Sequence, residues 1–241
     1  MSGVGDRRLR ILAGLGGDAA DVATAQLCRV SAEVTRMTGA GIMLMSGDVS
    51  RGSLCTTSDV SALIEQLQYD LGEGPCIDAY QQHRPVLEPD LAEPVTPRWL
   101  AFTGPAVEAG VRAVFGFPLQ VGAVRLGALN LYRDRPGPLT DEQHADALVV
   151  AGVAAQAILA LQSKAPAGKL AEALEEGADL QFVVHQAAGM VAVQLGVSVG
   201  QALVRLRAHA FADARPLKDV ADDVVSRKLR FDRVGEGDRE P

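Results

Sequence analysis

Cysteine and aromatic residues are both scarce in this 241-residue chain: there are three cysteines, and aromatics make up only 4%. Nothing approaches the run of about 18 apolar residues that a membrane-crossing helix needs. Each shortage excludes something. Cys28, Cys55 and Cys76 are odd in number and widely spaced, with no Cys-x-x-Cys pair and no nearby pair of histidines. The usual zinc patterns are therefore missing, no metal ligand is assigned, and the three read as reduced, partly buried thiols of a cytosolic protein. The stretch from Arg7 to Gly16 superficially resembles a secretory leader. Its apolar part is short, and Asp18 and Asp21 follow without a small-residue cleavage site, so residues 1–17 read as an N-terminal extension.

Catalytic constellations are missing as well. Gly72-Glu-Gly-Pro-Cys76 is not a phosphate loop, because neither Gly-Lys-Ser/Thr nor a Gly-x-Gly-x-x-Gly pattern accompanies it. As a cysteine nucleophile, Cys76 lacks a positioned base: His83 is seven residues on, and His144, His185 and His209 are far away. Glu73 and Asp78 could pair as acid and base, but isolated carboxylates near a turn are common. Glycines and a proline making a tight turn over a pocket account for the segment, and no enzyme is expected.

What the chain does have is apolar content, 48% of its residues, enough to bury substantial cores. The net charge of −7 is unevenly distributed. Residues 1–180 carry 14 Lys+Arg against 22 Asp+Glu, residues 181–233 carry 8 against 5, and 234–241 carry 1 against 3. An acidic front and a basic back suggest one part that senses and one that meets a polyanion.

Periodicity predicts a helix from Asp18 to Met37 stopped by Gly39, strands over 41–45 and 52–57, and a helix over 59–68. Val86-Leu87 reads as a brief edge strand, confined by prolines at 85 and 89. Two longer strands, 113–119 and 125–132, flank Gln120-Val-Gly122 as a hairpin. Thr140 and Gln143 have capping-box spacing at the start of a helix that runs to Gln162. The mixture of hairpin strands and segregated helices implies α+β. Lys164-Ala-Pro-Ala-Gly168 marks the domain boundary. Beyond it everything reads as helix: 170–195, closed by Gly196; 198–212, capped by Ser198 with Gln201; and 217–227. The tail from 234 reads as disordered.

Two families resemble these segments. Residues 18–163, with the Gly-Glu-Gly-Pro-Cys loop, Val114-Phe-Gly-Phe-Pro-Leu119 and Leu126-Gly-Ala-Leu-Asn-Leu-Tyr132, resemble a GAF domain of actinobacterial regulators. After a linker over 164–171, residues 172–233 resemble the ANTAR domain, an RNA-binding antiterminator module. That match rests on Gln186-Ala187, Gly189-Met190, Ala202, Leu206-Arg207, Ala210, Leu217 and Val220-Ala221. The resemblance implies a GAF-like antiparallel sheet with flanking helices, followed by a three-helix ANTAR-like unit. It also implies a cytoplasmic, homodimeric antitermination regulator that binds tandem RNA stem-loops.

RNA-binding residues would be Gln186, Ala187, Gly189, Arg205, Arg207, Arg215 and Lys218. Many ANTAR domains carry a lysine where this chain has Ala188, which shifts weight onto the arginines and Lys218. An unidentified small molecule would occupy a GAF pocket lined by Cys76, Phe115 and Phe117; no cofactor is identified. Unstacked loop bases can be read directly, whereas the deep major groove of duplex RNA cannot. With only Phe182, Phe211 and Phe231 in this region, a single-strand stacking platform is not expected.

DNA binding is a weaker alternative. Residues 217–225 look like the first helix of a helix-turn-helix, but no recognition helix follows, and the reversed assignment places Asp219, Asp222 and Asp223 in the groove. A sensor that acts only through protein contacts is the other alternative.

Overall fold

The computed structural model describes residues 3–16, 24–47, 49–163, 174 and 179–232. The chain divides into two compact units, Met1–Tyr69 with Glu73–Leu180, and Asp70–Gly72 with Gln181–Pro241.

In the first unit the strands are β1 (Gly39–Ser46), β2 (Val49–Thr56), β3 (Val86–Glu88), β4 (Ala113–Val121), β5 (Val124–Arg133) and β6 (Asp179–Leu180). They form one six-stranded sheet in the order β3-β4-β5-β1-β2-β6, and every neighbouring pair is antiparallel. The class is α+β, as the sequence implies. Alternation along the strands sorts their side chains between two faces. Ile42, Leu44, Phe115, Phe117, Leu119, Leu129 and Leu131 share a core with helices α2 (Thr24–Thr35) and α6 (Asp141–Gln162). The other face carries α3 (Asp59–Leu71) and α4 (Pro75–Gln82).

Helix α6 is apolar nearly all round because several partners cover it: α1 (Val4–Gly14), α2, β4 and β5. By length and composition it could cross a membrane, contrary to the sequence expectation, yet here it is the central helix of a packed core. Its start forms the expected capping box between Thr140 and Gln143. Gln143 Nε2 also donates to the Thr35 carbonyl at the end of α2, so one residue fixes two helix ends.

Several expectations are corrected. The N-terminal stretch contains helix α1, with Ile11 fully buried and both Arg7 and Arg10 reaching the Asp146 carboxylate on α6. Residues 18–23 of the expected 18–37 helix lie outside the described residues. Within the Gly-Glu-Gly-Pro-Cys segment Pro75 opens α4, because proline fits the first helical position, where no N–H bond is required. A further helix, α5 (Leu100–Glu108), escaped notice because Pro105 lies inside it. The expected helix 170–195 is interrupted by β6, which pairs with β2 through Gly52 and Ser53. The expected tail, 234–241, lies outside the described residues.

The cysteines are corrected too. Cys28 on α2 and Cys55 on β2 form a disulfide, with Cα atoms 6.0 Å apart, and Cys76 is the free thiol. The two bonded residues are 27 apart in sequence. They meet because α2 packs across β1 and β2, an arrangement that spacing alone does not reveal.

The second unit contains α7 (Phe182–Leu195), α8 (Val199–Ala212) and α9 (Leu217–Val225). Gly196 ends α7 at φ 67°, a left-handed cap that glycine adopts without Cβ strain. Ser198 and Gln201 form the expected capping box of α8. Small residues let the helices approach closely: Ala187, Ala188, Ala202 and Ala221 are all fully buried with Val184, Leu206 and Val220. The chain after α9 returns so that the Phe231 N–H donates to Gln194 Oε1, and its ring meets His209 edge-on at 5.4 Å.

The disulfide sets a thiol count. Protein denatured without reductant should show one reactive thiol per chain in a colorimetric assay, rising to three after reduction. Cys55→Ser should lower the stability of the sheet unit by about 3 kcal/mol, read as an earlier thermal transition in calorimetry.

Candidate functional sites

On the α3/α4 face the central feature is a polar residue inside an apolar strand. Asn130 on β5 lies opposite Gly41 on β1 and Gly116 on β4. A glycine on either side leaves the sheet surface low around the amide, and the helices settle into that depression. A Cβ at 41 would fall 2.6 Å from Glu65 Oε1, and one at 116 would fall 2.4 Å from the Pro75 carbonyl oxygen. Helix α3 is moored at its start by a hydrogen bond between Ser58 Oγ and the Tyr132 hydroxyl, 2.9 Å long. Its inward stripe then brings Ser61, Glu65 and Gln68 down onto the sheet.

Glu65 is 1% exposed, and its Oε1 accepts from Asn130 Nδ2 at 3.1 Å. Among the described residues, neither its Oε2 nor the Asn130 Oδ1 has a hydrogen-bond partner. Gln68 Oε1 accepts from the Cys76 backbone N–H at 2.7 Å and so ties α4 to α3. Gly74, at φ 133°, provides the bend between the helices, and a side chain there would strike Gln68. Burial pushes the Glu65 carboxyl up to about 8, opposed by its bond to Asn130. Burial also pushes the Cys76 thiol up, with the adjacent Glu65 carboxyl acting in the same direction. A raised thiol is a poor nucleophile at neutral pH.

Of the three residues expected to line a pocket, the structure does not bring Cys76 together with Phe115 and Phe117. The phenyl rings lie on the opposite face of the sheet, in the core with α6, where Phe117 meets His144 edge-on at 5.7 Å. Strand parity explains this, since Phe115 and Phe117 flank Gly116, which faces α4. Glu65, Gln68 and Asn130 were missed. The available signal was an asparagine in the middle of Leu-Gly-Ala-Leu-Asn-Leu-Tyr and a glutamate on the apolar stripe of α3.

Glu73 and Asp78 have structural work. Glu73 Oε1 accepts from the backbone N–H groups of Ala101 (2.7 Å) and Phe102 (2.9 Å) and so caps α5. Asp78 Oδ2 accepts from Trp99 Nε1 at 3.0 Å, and the Arg98 guanidinium lies 4.3 Å over the Trp99 ring. Among the described residues no group of three or more His, Cys, Asp or Glu is arranged to hold a metal ion.

In the second unit the expected RNA-binding residues separate by exposure. Ala187 is fully buried between helices, so it serves packing and cannot touch a ligand directly. Gln186 is exposed beside it, and Gly189 is half-buried with open space where a Cβ would stand. Arg205 and Lys218 are exposed, and neither makes an ion pair among the described residues; Arg207 is half-buried. Arg215 is held by Asp223 on α9, Nη2 to Oδ2 at 2.6 Å. Val204 and Phe211, 61% and 69% exposed, stand two turns apart as an outward apolar stripe on α8, with Arg205 about 100° round the helix from Val204.

Comparison with known proteins fits this geometry. A family model for the GAF domain matches residues 8–160, more than half of the chain, and the chain belongs to that family. A model for the ANTAR domain matches residues 169–225, so the protein is a regulator in which a GAF domain is followed by an ANTAR domain. No curated protein matches it.

Solved structures with a similar fold include the GAF domain of a phosphoenolpyruvate-protein phosphotransferase from Acinetobacter. It is 12% identical, with a TM-score of 0.49, over 69% of this chain and 99% of that one. The corresponding domain from Coxiella burnetii is 15% identical, with a TM-score of 0.48, over 68% and 98%. A type II free methionine-R-sulfoxide reductase from Thermoplasma acidophilum is 17% identical, with a TM-score of 0.44, over 58% and 94%.

The raised Glu65 carboxyl makes stability depend on pH. Below its ordinary value of 4.5 both folded and unfolded chains hold the proton, and the contribution is fully present. As pH rises, the unfolded chain releases its proton first, so stability falls until the folded carboxyl ionises near 8. Thermal melts of the wild type should drop by at least about 5 °C between about pH 5 and pH 8, whereas Glu65→Gln should melt almost evenly across that range.

Proposed function

We propose that this protein is a signal-responsive transcription antitermination regulator. Its C-terminal helical unit binds RNA stem-loops, two in tandem in a transcript leader, and its GAF unit reads a small-molecule signal. It acts as a cytoplasmic homodimer. The observation that carries this reading is the match of residues 169–225 to the ANTAR domain, whose members act as RNA-binding antiterminators. GAF and ANTAR are regulatory, non-catalytic domains, and the spent carboxylates and raised thiol of the GAF unit accord with a protein that binds without catalysing.

The surface of α8 supports RNA as the partner. Arg205 can reach phosphate or stack on an unpaired base, and the exposed stripe of Val204 and Phe211 adds apolar surface further round the same helix. Gln186 and Gly189 on α7 and Lys218 at the start of α9 add polar and phosphate contacts; Arg207 contributes from a half-buried position and Arg215 from an exposed one where Asp223 already holds it. Helix α9 is poorly suited to a DNA groove, because Asp219 and Asp222 are exposed on it and would repel phosphate.

The test is a mobility shift of the purified protein against a tandem stem-loop RNA, its fully duplex version and matched DNA at two salt concentrations. Binding should select looped RNA and weaken steeply with salt. Arg205→Glu should cost at least about tenfold in affinity and reduce the salt slope by about one, with helical content unchanged by circular dichroism. Equal binding to all three nucleic acids, or no effect of Arg205→Glu, would refute the assignment of α8 as the RNA-reading surface. Failure to bind any nucleic acid would instead support a sensor that works through protein contacts alone.

A further inference from the structure

Most buried acids among the described residues have a counter-charge. Asp146 is met by Arg7 and Arg10, and Glu88 by Arg98. Glu65, more deeply buried than either, has a neutral partner only, the Asn130 amide. Two oxygens remain unanswered, Glu65 Oε2 and Asn130 Oδ1, on two side chains already joined by a hydrogen bond. A buried acceptor without a donor costs about 1–3 kcal/mol, and more when it can carry charge. Such a pair in the heart of a domain marks a place where a donor belongs.

We propose that Glu65 and Asn130 bind the N–H donors of a small organic cation, an ammonium or amidinium group. This deepens the sensor reading above and rests on it. The chemistry of the site selects the class. Once Glu65 is ionised both free atoms accept hydrogen bonds, and the cation supplies the counter-charge that the carboxylate lacks. An anionic group, such as the phosphate of a nucleotide, finds no basic side chain paired with Glu65 to receive it. Gly41 and Gly116 let Glu65 and the Pro75 carbonyl approach the sheet on either side of Asn130, so a ligand group that bonds both free atoms has to be small. Cys76, the other titratable group against Glu65, stays neutral through burial and does not compete for the charge.

Binding carries a proton signature. At neutral pH the Glu65 carboxyl is mostly protonated, and a cation is held by its ionised form, so ligand entry expels that proton to solvent. Calorimetry of the full chain with acetamidinium or methylammonium, at pH 7 in two buffers of different ionisation enthalpy, should show close to one proton released. Both probes should raise the melting temperature of the wild type by at least about 3 °C near saturation, and more at pH 8 than at pH 6. Neither should do so for Glu65→Gln, which preserves shape but cannot ionise, and the effect should be reduced in Asn130→Ser.

A rise of equal size in Glu65→Gln, a rise with tetramethylammonium, which has no N–H, or binding without proton release would overturn the proposal. A rise with acetamide alone would overturn the cation and leave the sensor reading standing. No rise with any of the four probes would overturn the cation site and leave the sensor reading, which names no ligand, standing. The RNA mobility shift of Glu65→Gln without ligand reports separately on the helical unit.

Discussion

An amide in the middle of a central strand must be answered from the layer that covers it, and much of the GAF unit is arranged around that demand. Asn130 cannot turn to solvent, since β5 lies between β4 and β1 and α4 covers the face it points to. Glu65 reaches it only because Gly41 leaves room for the carboxyl, and α4 seats against the sheet only because Gly116 leaves room for the Pro75 carbonyl. Gln68, one turn beyond Glu65, then fixes the start of α4 through the Cys76 N–H. The opposite face has no comparable polar centre. It is filled by Phe115, Phe117, Leu129 and Leu131 against α6, so rigidity comes from apolar packing on one side and a polar cluster occupies the other.

Features carried by local residue order were legible in the sequence. Both capping boxes, Thr140 with Gln143 and Ser198 with Gln201, form as their three-residue spacing implies. The hairpin of β4 and β5 follows from two alternating runs around a glycine. Features that require distant residues to meet were not legible. Asn130 and Glu65 are 65 positions apart, and the Cys28–Cys55 bond depends on how α2 crosses the sheet. Proline conceals two helices: Pro75, in a segment that reads as a tight turn, starts one, and Pro105 sits within another. The pocket expectation failed through strand parity. Phe115 and Phe117 flank Gly116 in sequence, yet the strand's period of two puts them on the face away from Cys76.

The helical unit shows how a small bundle divides its residues between cohesion and contact. Ala187 and Ala188 belong to the core, where their small size lets α7 lie against α8 and α9. An alanine at 188 therefore improves packing where a lysine would have to direct its stem outward past a neighbouring helix. The exposed positions are ones whose neighbours in the sequence are buried: Gln186 before Ala187, and Val204 and Arg205 between Leu203 and Leu206.

Charge within that unit is less available than its total suggests. The 8 basic residues against 5 acidic over 181–233 give a modest surplus. Arg215 is held by Asp223, and Lys228 approaches the same carboxylate at 4.0 Å. Their field is thereby partly cancelled on α9, which also exposes Asp219 and Asp222. On α8 the Arg205 charge faces outward with no such partner among the described residues. Under the RNA-binding reading this asymmetry orients the complex: α8 approaches the polyanion, while the acidic side of α9 must face away from it. A nucleic acid laid along α9 would have to overcome two exposed carboxylates, whereas one laid along α8 meets an exposed arginine at one edge of the apolar stripe of Val204 and Phe211.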